Sequence, residues 1–369
     1  MTAMNSHEQT IIHDVVTADA ALPAAPTDVR LPDLVGLLPD RKISWLERFL
    51  GPEIYRIFRG VFKNPLSISG LVLIGFFMLI ALFAPLICPN PNPINAYQIP
   101  RDGFSSTPKP PGTEWKRLPP PIPFWMNLTG QTKWTHLMGT ASGGWDIFYG
   151  VIWGTRTAIK VGVIIVGLCM IMGILIGTIS AFYGGWLDEV LMRITEIFMA
   201  FPFIMAALTL SAILAPIIGK GIWAPSIALI VFGWMGYARL IRGDILSVRE
   251  REYIMAARVV GVKDGSIMLR HIIPNAIYPT LVVASMDIGS IVISFAALSF
   301  LGIGTEVGYA DWGQLISFAR NWIPSLADYW YIVIYPGVAL ILFTLGWNLM
   351  GDALRDIMDP RMRGRGGTE

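Results

Sequence analysis

Charge is scarce in this sequence. Only 15% of its 369 residues are Asp, Glu, Lys or Arg and 54% are hydrophobic, whereas a soluble domain carries about a quarter charged residues. The shortfall moves the expectation to a membrane protein. The formal net charge is +2, which makes no global case for nucleic acid, so any basic bias has to be read loop by loop. Cysteine is nearly absent too: Cys88 and Cys169 lie far apart, without CxxC or Cys/His spacing, and suggest neither a disulfide framework nor a zinc site. Inert packing is the expectation for both. His7, His13, His136 and His271 are equally scattered.

Catalytic motifs are missing as well. No GxxxxGK followed by Ser or Thr occurs. Gly219-Lys220 lacks the upstream glycine and the following hydroxyl residue that would cradle phosphates and hold magnesium. There is no HExxH, no GxSxG and no pair of ionisable residues placed as acid and base. The chain is therefore expected to hydrolyse no ATP and to bind no cofactor or metal of its own. The first uncharged, strongly apolar stretch begins only after Lys63, so no cleavable signal peptide is expected.

What is abundant is apolar sequence in long runs. Residues 1–40 are polar and rich in Ala, Pro, Asp and Thr and are expected to be a disordered tail. Residues 41–64 mix Trp45, Phe49, Ile54 and Phe58 with Arg48, Arg56 and Arg59, the pattern of a helix lying in the membrane surface or of an ordinary amphipathic packing helix. A helix needs roughly 20 apolar residues to cross the hydrocarbon core. Pro65 to Ile87 supplies the first crossing. Val161 to Leu187, Ile197 to Gly219, Gly221 to Ala238, Ile272 to Gly304 (broken only by Asp287) and Tyr329 to Gly351 supply five more.

Orientation follows from where Lys and Arg collect. Arg41, Lys42, Arg48, Arg56, Arg59 and Lys63 flank the first crossing. Arg242, Arg249, Arg251, Arg258, Lys263 and Arg270 follow the fourth, and Arg355, Arg361, Arg363 and Arg365 close the chain. With six spans all three groups fall on one side, so both termini are predicted cytoplasmic. The external segment 88–155 is dense in proline, which predicts extended, rigid loop without helices. Its Trp115, Phe124, Trp125 and Trp134 are read as seats at the lipid headgroups, or as contacts for an external partner.

Two features remain. Asp287 sits in mid-span, where a charge is costly in lipid and so marks either a pathway or a hydrogen-bonded structural carboxylate. Lys160, Arg193 and Glu196 lie close enough to span ends to snorkel. The long inside loop, 242–275, is more than a tether. It reads as two short helices, Glu252 to Val260 and Ser266 to Ile273, hinged where Gly261 takes a positive φ. Asp264 or Ser266 is expected to cap the second, and Pro274 and Pro279 to mark the return into the membrane. Ala256 and Ala257 would form a low-relief face flanked by Arg258 and Lys263, suited to a cytoplasmic docking element.

Met255-Ala256-Ala257-Arg258-Val259-Val260-Gly261, followed by Ile273-Pro274, resembles the EAA motif of importer permeases in the ATP-binding cassette class. The motif's glutamate is Met255 here, and Glu252 stands in position to supply the acidic contact. Phe62-Lys63-Asn64-Pro65 through Ala84-Pro85-Leu86-Ile87, and His136-Leu137-Met138-Gly139-Thr140 with Gly144-Trp145-Asp146 and Tyr149-Gly150, resemble segments of the C-type permeases of dipeptide, oligopeptide and nickel importers. Ala141 and Trp145 replace that pattern's usual Asp and Arg. Ser299 to Gly304, Trp312-Gly313, Asn348 to Asp356 and Asp359-Pro360-Arg361 resemble their closing segments. The resemblance covers most of the chain after Arg56.

It implies an all-α integral membrane permease with six transmembrane helices, a five-helix core over 156–352 plus the N-terminal span 65–87, and a cytoplasmic tail from 353. It also implies a second homologous permease, two ATPase subunits that bind ATP and Mg, and an external solute-binding protein, all gathered at the lipid bilayer. Glu252, Met255, Ala256, Ala257, Arg258, Gly261 and Lys263 would dock the ATPase, and Asp287 would face the translocation path. Peptides are the expected solute, with nickel chelates and sugars open. The rival readings are a secondary transporter driven by an ion gradient through Asp287, and a membrane scaffold that transports nothing.

Overall fold

The computed structural model describes residues 62 and 64–358, apart from 93, 117–119, 129 and 131–132. All of them belong to one compact unit, Arg56–Glu369. The expected tail over 1–40, nearly all of the interfacial helix 41–64 and the chain beyond Met358 lie outside the described residues.

Helix α1, Pro65–Ile87, has the bounds read from hydropathy. Asn64 caps it by accepting the Leu66 N–H, and Pro65 occupies the first turn, where its missing N–H costs nothing. Its 23 residues reach about 35 Å, enough for the ~30 Å core.

The external segment is a packed cap. Strands β1 (Thr113–Glu114) and β2 (Thr135–His136) pair antiparallel, and between them lies the short helix α2, Phe124–Leu128. Proline density does not exclude a helix here, because Pro123 stands just before it and its carbonyl accepts the Met126 N–H, a place proline tolerates. Trp115 and Trp134 are 6% and 0% exposed, so they fill a core rather than sit at headgroups. Trp125 is half-buried and donates Nε1 to the Ile87 carbonyl at 3.0 Å. Only Phe124 of the four aromatics is exposed.

Helix α3, Ile147–Tyr183, starts inside the segment assigned to the external loop, capped by Asp146, whose carboxylate accepts the Tyr149 N–H at 2.7 Å. Hydropathy missed its first turns because Arg156 and Lys160 interrupt the apolar run. At 37 residues it spans about 55 Å and so carries the cap beyond the membrane. Helices α4 (Gly185–Met199) and α5 (Phe203–Ile218) are bent by 85° across 200–202. The crossing expected over Ile197 to Gly219 is thus not one straight helix. The 16 residues of α5 rise only about 24 Å, short of the core alone. Helices α6 (Trp223–Gly233) and α7 (Met235–Arg249) continue as one span, Trp223–Arg249, eleven residues past the expected end at Ala238. Arg242 and Arg249 therefore sit on a helix, not in the loop.

Next come α8 (Glu252–Val259), α9 (Asp264–Ile267), a π-helical turn (Met268–Ile272), α10 (Ile273–Ala276) and α11 (Tyr278–Phe300). Then follow α12 (Trp312–Ser317), a 3-10 turn (Arg320–Ser325) and α13 (Leu326–Tyr329). Helix α14, Tyr331–Met358, ends the described chain and extends past residue 353, where the tail was expected to begin. Among the described residues five helices are long and apolar enough to cross a membrane, and six crossings result when the bent pair counts as one.

Close approach of helices rests on small residues. A Cβ at Gly173 would lie 2.4 Å from Tyr237 Cβ, and one at Gly177 2.4 Å from the Ala238 carbonyl, so α3 and α7 cross nearly backbone to backbone through a GxxxG spacing. The buried residues form three clusters. One joins the cap to α3, α12 and α14; one surrounds the middle of α3 with α6, α7 and α11; and one ties the inner ends of α3 and α7 to α8–α10.

Candidate functional site

The segment that follows α7 folds as a helical knob held by its own apolar residues. Ile254 on α8, Ile267 on α9, Ile272 in the π turn and Ala276 on α10 are buried against Ile174, Ala181, Phe182, Ile241 and Ile245. Helix α8 ends in a Schellman motif: Gly261 N–H donates to Arg258 O at 3.0 Å and Val262 N–H to Ala257 O at 3.1 Å. Gly261 has φ +82°, the left-handed conformation that favours glycine at this position. The hinge is therefore where the sequence puts it.

The second half differs from expectation. Neither Asp264 nor Ser266 caps it. Lys263 is the boundary residue and makes no side-chain cap, while Asp264 falls in the first turn, where its charge suits the helix dipole. Pro274 does not end the element either. The ladder widens just before it, Ile273 N–H donating to Met268 O in π register, a way past a residue that cannot donate. The return into the membrane begins at Tyr278, with Pro279 in the first turn.

Glu252, Met255, Ala256, Arg258, Gly261 and Lys263 are all exposed on this knob, and Ala257 is half-buried toward the inner cluster. The outer face is consequently more apolar than an alanine pair alone. Met255 is 52% exposed, Val259 88%, Val260 81% and Leu269 68%. Arg258 lies with its guanidinium 5.2 Å from the Phe182 ring centroid, which joins α8 to the inner end of α3.

A polar clamp that the sequence does not announce holds that same end. Arg242 donates Nε and Nη2 to the two carboxylate oxygens of Asp188 at 2.7 and 2.6 Å, the bidentate geometry favoured by arginine. Ser180 Oγ also donates to Asp188, and Arg249 donates to the Ala181 carbonyl at 2.7 Å. The only sequence signal was that these arginines belong to the basic group. Their partners, as many as 68 residues away, are not visible in it. Arg193 pairs with Glu196 on an exposed face of α4, as snorkelling residues do. Lys160 instead stands 5.8 Å from the Trp223 ring and 6.0 Å from that of Tyr97.

Asp287 lies apart from the knob, in the middle cluster's region. Its Oδ2 accepts the Tyr237 hydroxyl at 2.6 Å, and it lines a cavity of ≈ 300 Å³ with Val166, Phe203, Phe232, Ser290 and Ser294. It is at once hydrogen-bonded and beside open space.

Residues 173–364 match the family described as binding-protein-dependent transport system inner membrane component. Residues 54–111 match the N-terminal TM domain of oligopeptide transport permease C. The chain is 35% identical over 311 residues to the dipeptide transport system permease protein DppC of Alkalihalophilus pseudofirmus, covering 83% of this chain and 89% of that one. It is 30% identical over 301 residues to the oligopeptide transport system permease protein OppC of Bacillus subtilis, covering 82% and 87%. A chain of the MetNI methionine ABC transporter in an inward-facing conformation is similar at TM-score 0.48 and 19% identity, over 58% of this chain and 98% of that one. On the match to more than half of its length, and on relatives aligned nearly end to end, the chain belongs to the binding-protein-dependent transport inner membrane components, the permease rather than the catalytic subunits of ATP-binding cassette importers.

Proposed function

We propose that this permease carries peptides inward as one half of a translocation path, the other half being a second homologous permease. Two ATPase subunits bind and hydrolyse ATP with Mg on the cytoplasmic side, and an external binding protein delivers the solute. Both termini are cytoplasmic. The peptide assignment is supported by relatives named for dipeptide and oligopeptide transport. A secondary transporter driven through Asp287 has no support among them.

The observation that carries the coupling role is the knob itself. It is anchored by buried Ile254, Ile267 and Ile272 and presents Met255, Ala256, Val259 and Val260 outward, with Glu252 at the start of that face and Lys263 exposed just beyond the helix. A cleft in the ATPase receives that face, and closure of the ATPases moves α8. Arg258 on Phe182 and Arg249 on Ala181 pass the movement to α3. Asp287 faces the translocation path.

Reconstitution of the full complex with Gly261→Pro and Ala257→Arg tests this. Loss of solute-stimulated ATPase and of transport is expected; survival of both intact overturns the docking role.

A further inference from the structure

We propose that the Asp287 cavity is a cation subsite that holds the terminal ammonium of the peptide during passage, with Tyr237 positioning the carboxylate. The proposal rests on the peptide reading above. It begins from the neighbours of Asp287. The Tyr237 hydroxyl is its one hydrogen-bond partner among the described residues, and space of ≈ 300 Å³ adjoins it. A carboxylate kept in a span for packing alone is enclosed by donors, because an unpaired one is costly there. This one has a donor on one side and a cavity on the other.

The rest of the lining suits an organic cation. Ser290 and Ser294 follow Asp287 at i+3 and i+7 and so share its face of α11. Phe203, the first residue of α5, lines the cavity, which therefore lies against the break between α4 and α5. Such interruptions are found where irregular backbone lines a solute cavity. The rings of Phe203 and Phe232 are apolar walls that also attract a cation. No group of three or more His, Cys, Asp or Glu that could hold a metal ion occurs among the described residues. A single carboxylate with aromatic walls fits an ammonium better than a metal, which takes several oxygen or nitrogen ligands.

The volume restricts what enters. It lies at the small end of ligand cavities, roughly 300–1,000 Å³, and takes one end of a peptide. Phe232 also lines a second, apolar pocket of ≈ 400 Å³ with Phe201, Pro202 and Met205, a place for a neighbouring side chain.

The test uses the complete purified transporter without its binding protein, dialysed against labelled trialanine or N-acetyl-trialanine. The parent is expected to bind the free amine at least about tenfold tighter, the scale of a hydrogen bond to a charged group. Asp287→Asn is expected to abolish that preference, Tyr237→Phe to weaken it and Asp287→Glu to retain part of it. Equal binding of the two peptides by the parent, or an undiminished preference in Asp287→Asn, overturns the subsite. If Asp287→Asn fails to assemble with the ATPases, an unchanged preference in Tyr237→Phe overturns the positioning role. ATP-driven uptake of trialanine by the parent with its binding protein checks the peptide reading separately. Uptake without amine preference sinks the subsite alone, whereas no uptake sinks the reading beneath it.

Discussion

Arg156 on α3 donates Nε to the carbonyl of Ala81 on α1 at 2.6 Å. Ala81 is the residue whose carbonyl would accept the N–H of position 85 in a regular helix, and Pro85 has none to give. The arginine therefore supplies the missing donor and, through it, fastens the N-terminal span to the core.

Arg156→Met leaves that carbonyl unpaired and is expected to cost about 1–3 kcal/mol. In a Pro85→Ala background the restored amide satisfies Ala81, and the same substitution should then cost little. A double-mutant cycle on thermal unfolding in detergent measures the coupling; additive effects would show that Arg156 does not serve this carbonyl.

The α3–α7 crossing predicts a contrast between two glycines on one helix. Gly177→Val places a side chain against the Ala238 carbonyl and is expected to destabilise by about 1–3 kcal/mol or more through overpacking. Gly167→Val enters open space, since nothing lies within 4 Å of its would-be Cβ, and should be near neutral. Melting temperatures of the two variants decide it.

Transmission from the knob predicts a coupling defect without a docking defect. Phe182→Leu removes the ring under Arg258, an interaction worth about 0.5–1 kcal/mol at an exposed site. Solute-stimulated ATPase activity is expected to fall about two- to fivefold while the ATPase subunits still co-purify with the permease. Unchanged stimulation would exclude this contact from the route.

Asp311 predicts a pH dependence in the loop after α11. It caps α12, accepting the Gly313 and Gln314 N–H groups at 3.3 and 3.2 Å, yet burial pushes its carboxyl up to about 6, outweighing those bonds. The folded state thus holds a proton that the unfolded chain releases near pH 4. The associated stability is full below about pH 4, falls as pH rises to about 6, and totals roughly 3 kcal/mol at about 1.4 kcal/mol per unit. Asp311→Asn keeps an N-cap oxygen and should flatten this part of the profile between pH 4.5 and 7, read by thermal unfolding across that range.

Much of the fold was legible because hydropathy is a local property. Pro65–Ile87 was read to the residue, since no charge interrupts it and Asn64-Pro65 marks its start. Gly261 was legible for a similar reason, because a positive φ at a helix end needs little beyond its neighbours. Two of the misplaced boundaries share one cause: charged residues that continue a helix look like loop in a hydropathy count. Arg156 extends α3 outward and Arg242 extends α7 inward, each because a distant partner, the Ala81 carbonyl or Asp188, accepts its hydrogen bonds.

By itself, then, the sequence determined an α-helical membrane chain of five or six crossings with a hinged helical loop, because apolar length and glycine placement act over a few residues at a time. Tertiary structure alone decided the 85° bend between α4 and α5, the burial of Trp115 and Trp134 within the cap, and the meeting of Tyr237 with Asp287 beside a cavity. Those outcomes depend on which surfaces come together in the folded chain, in the case of Tyr237 and Asp287 across 50 residues. No local pattern encodes that, because the cost of an unpaired polar group is settled only when its neighbours have packed.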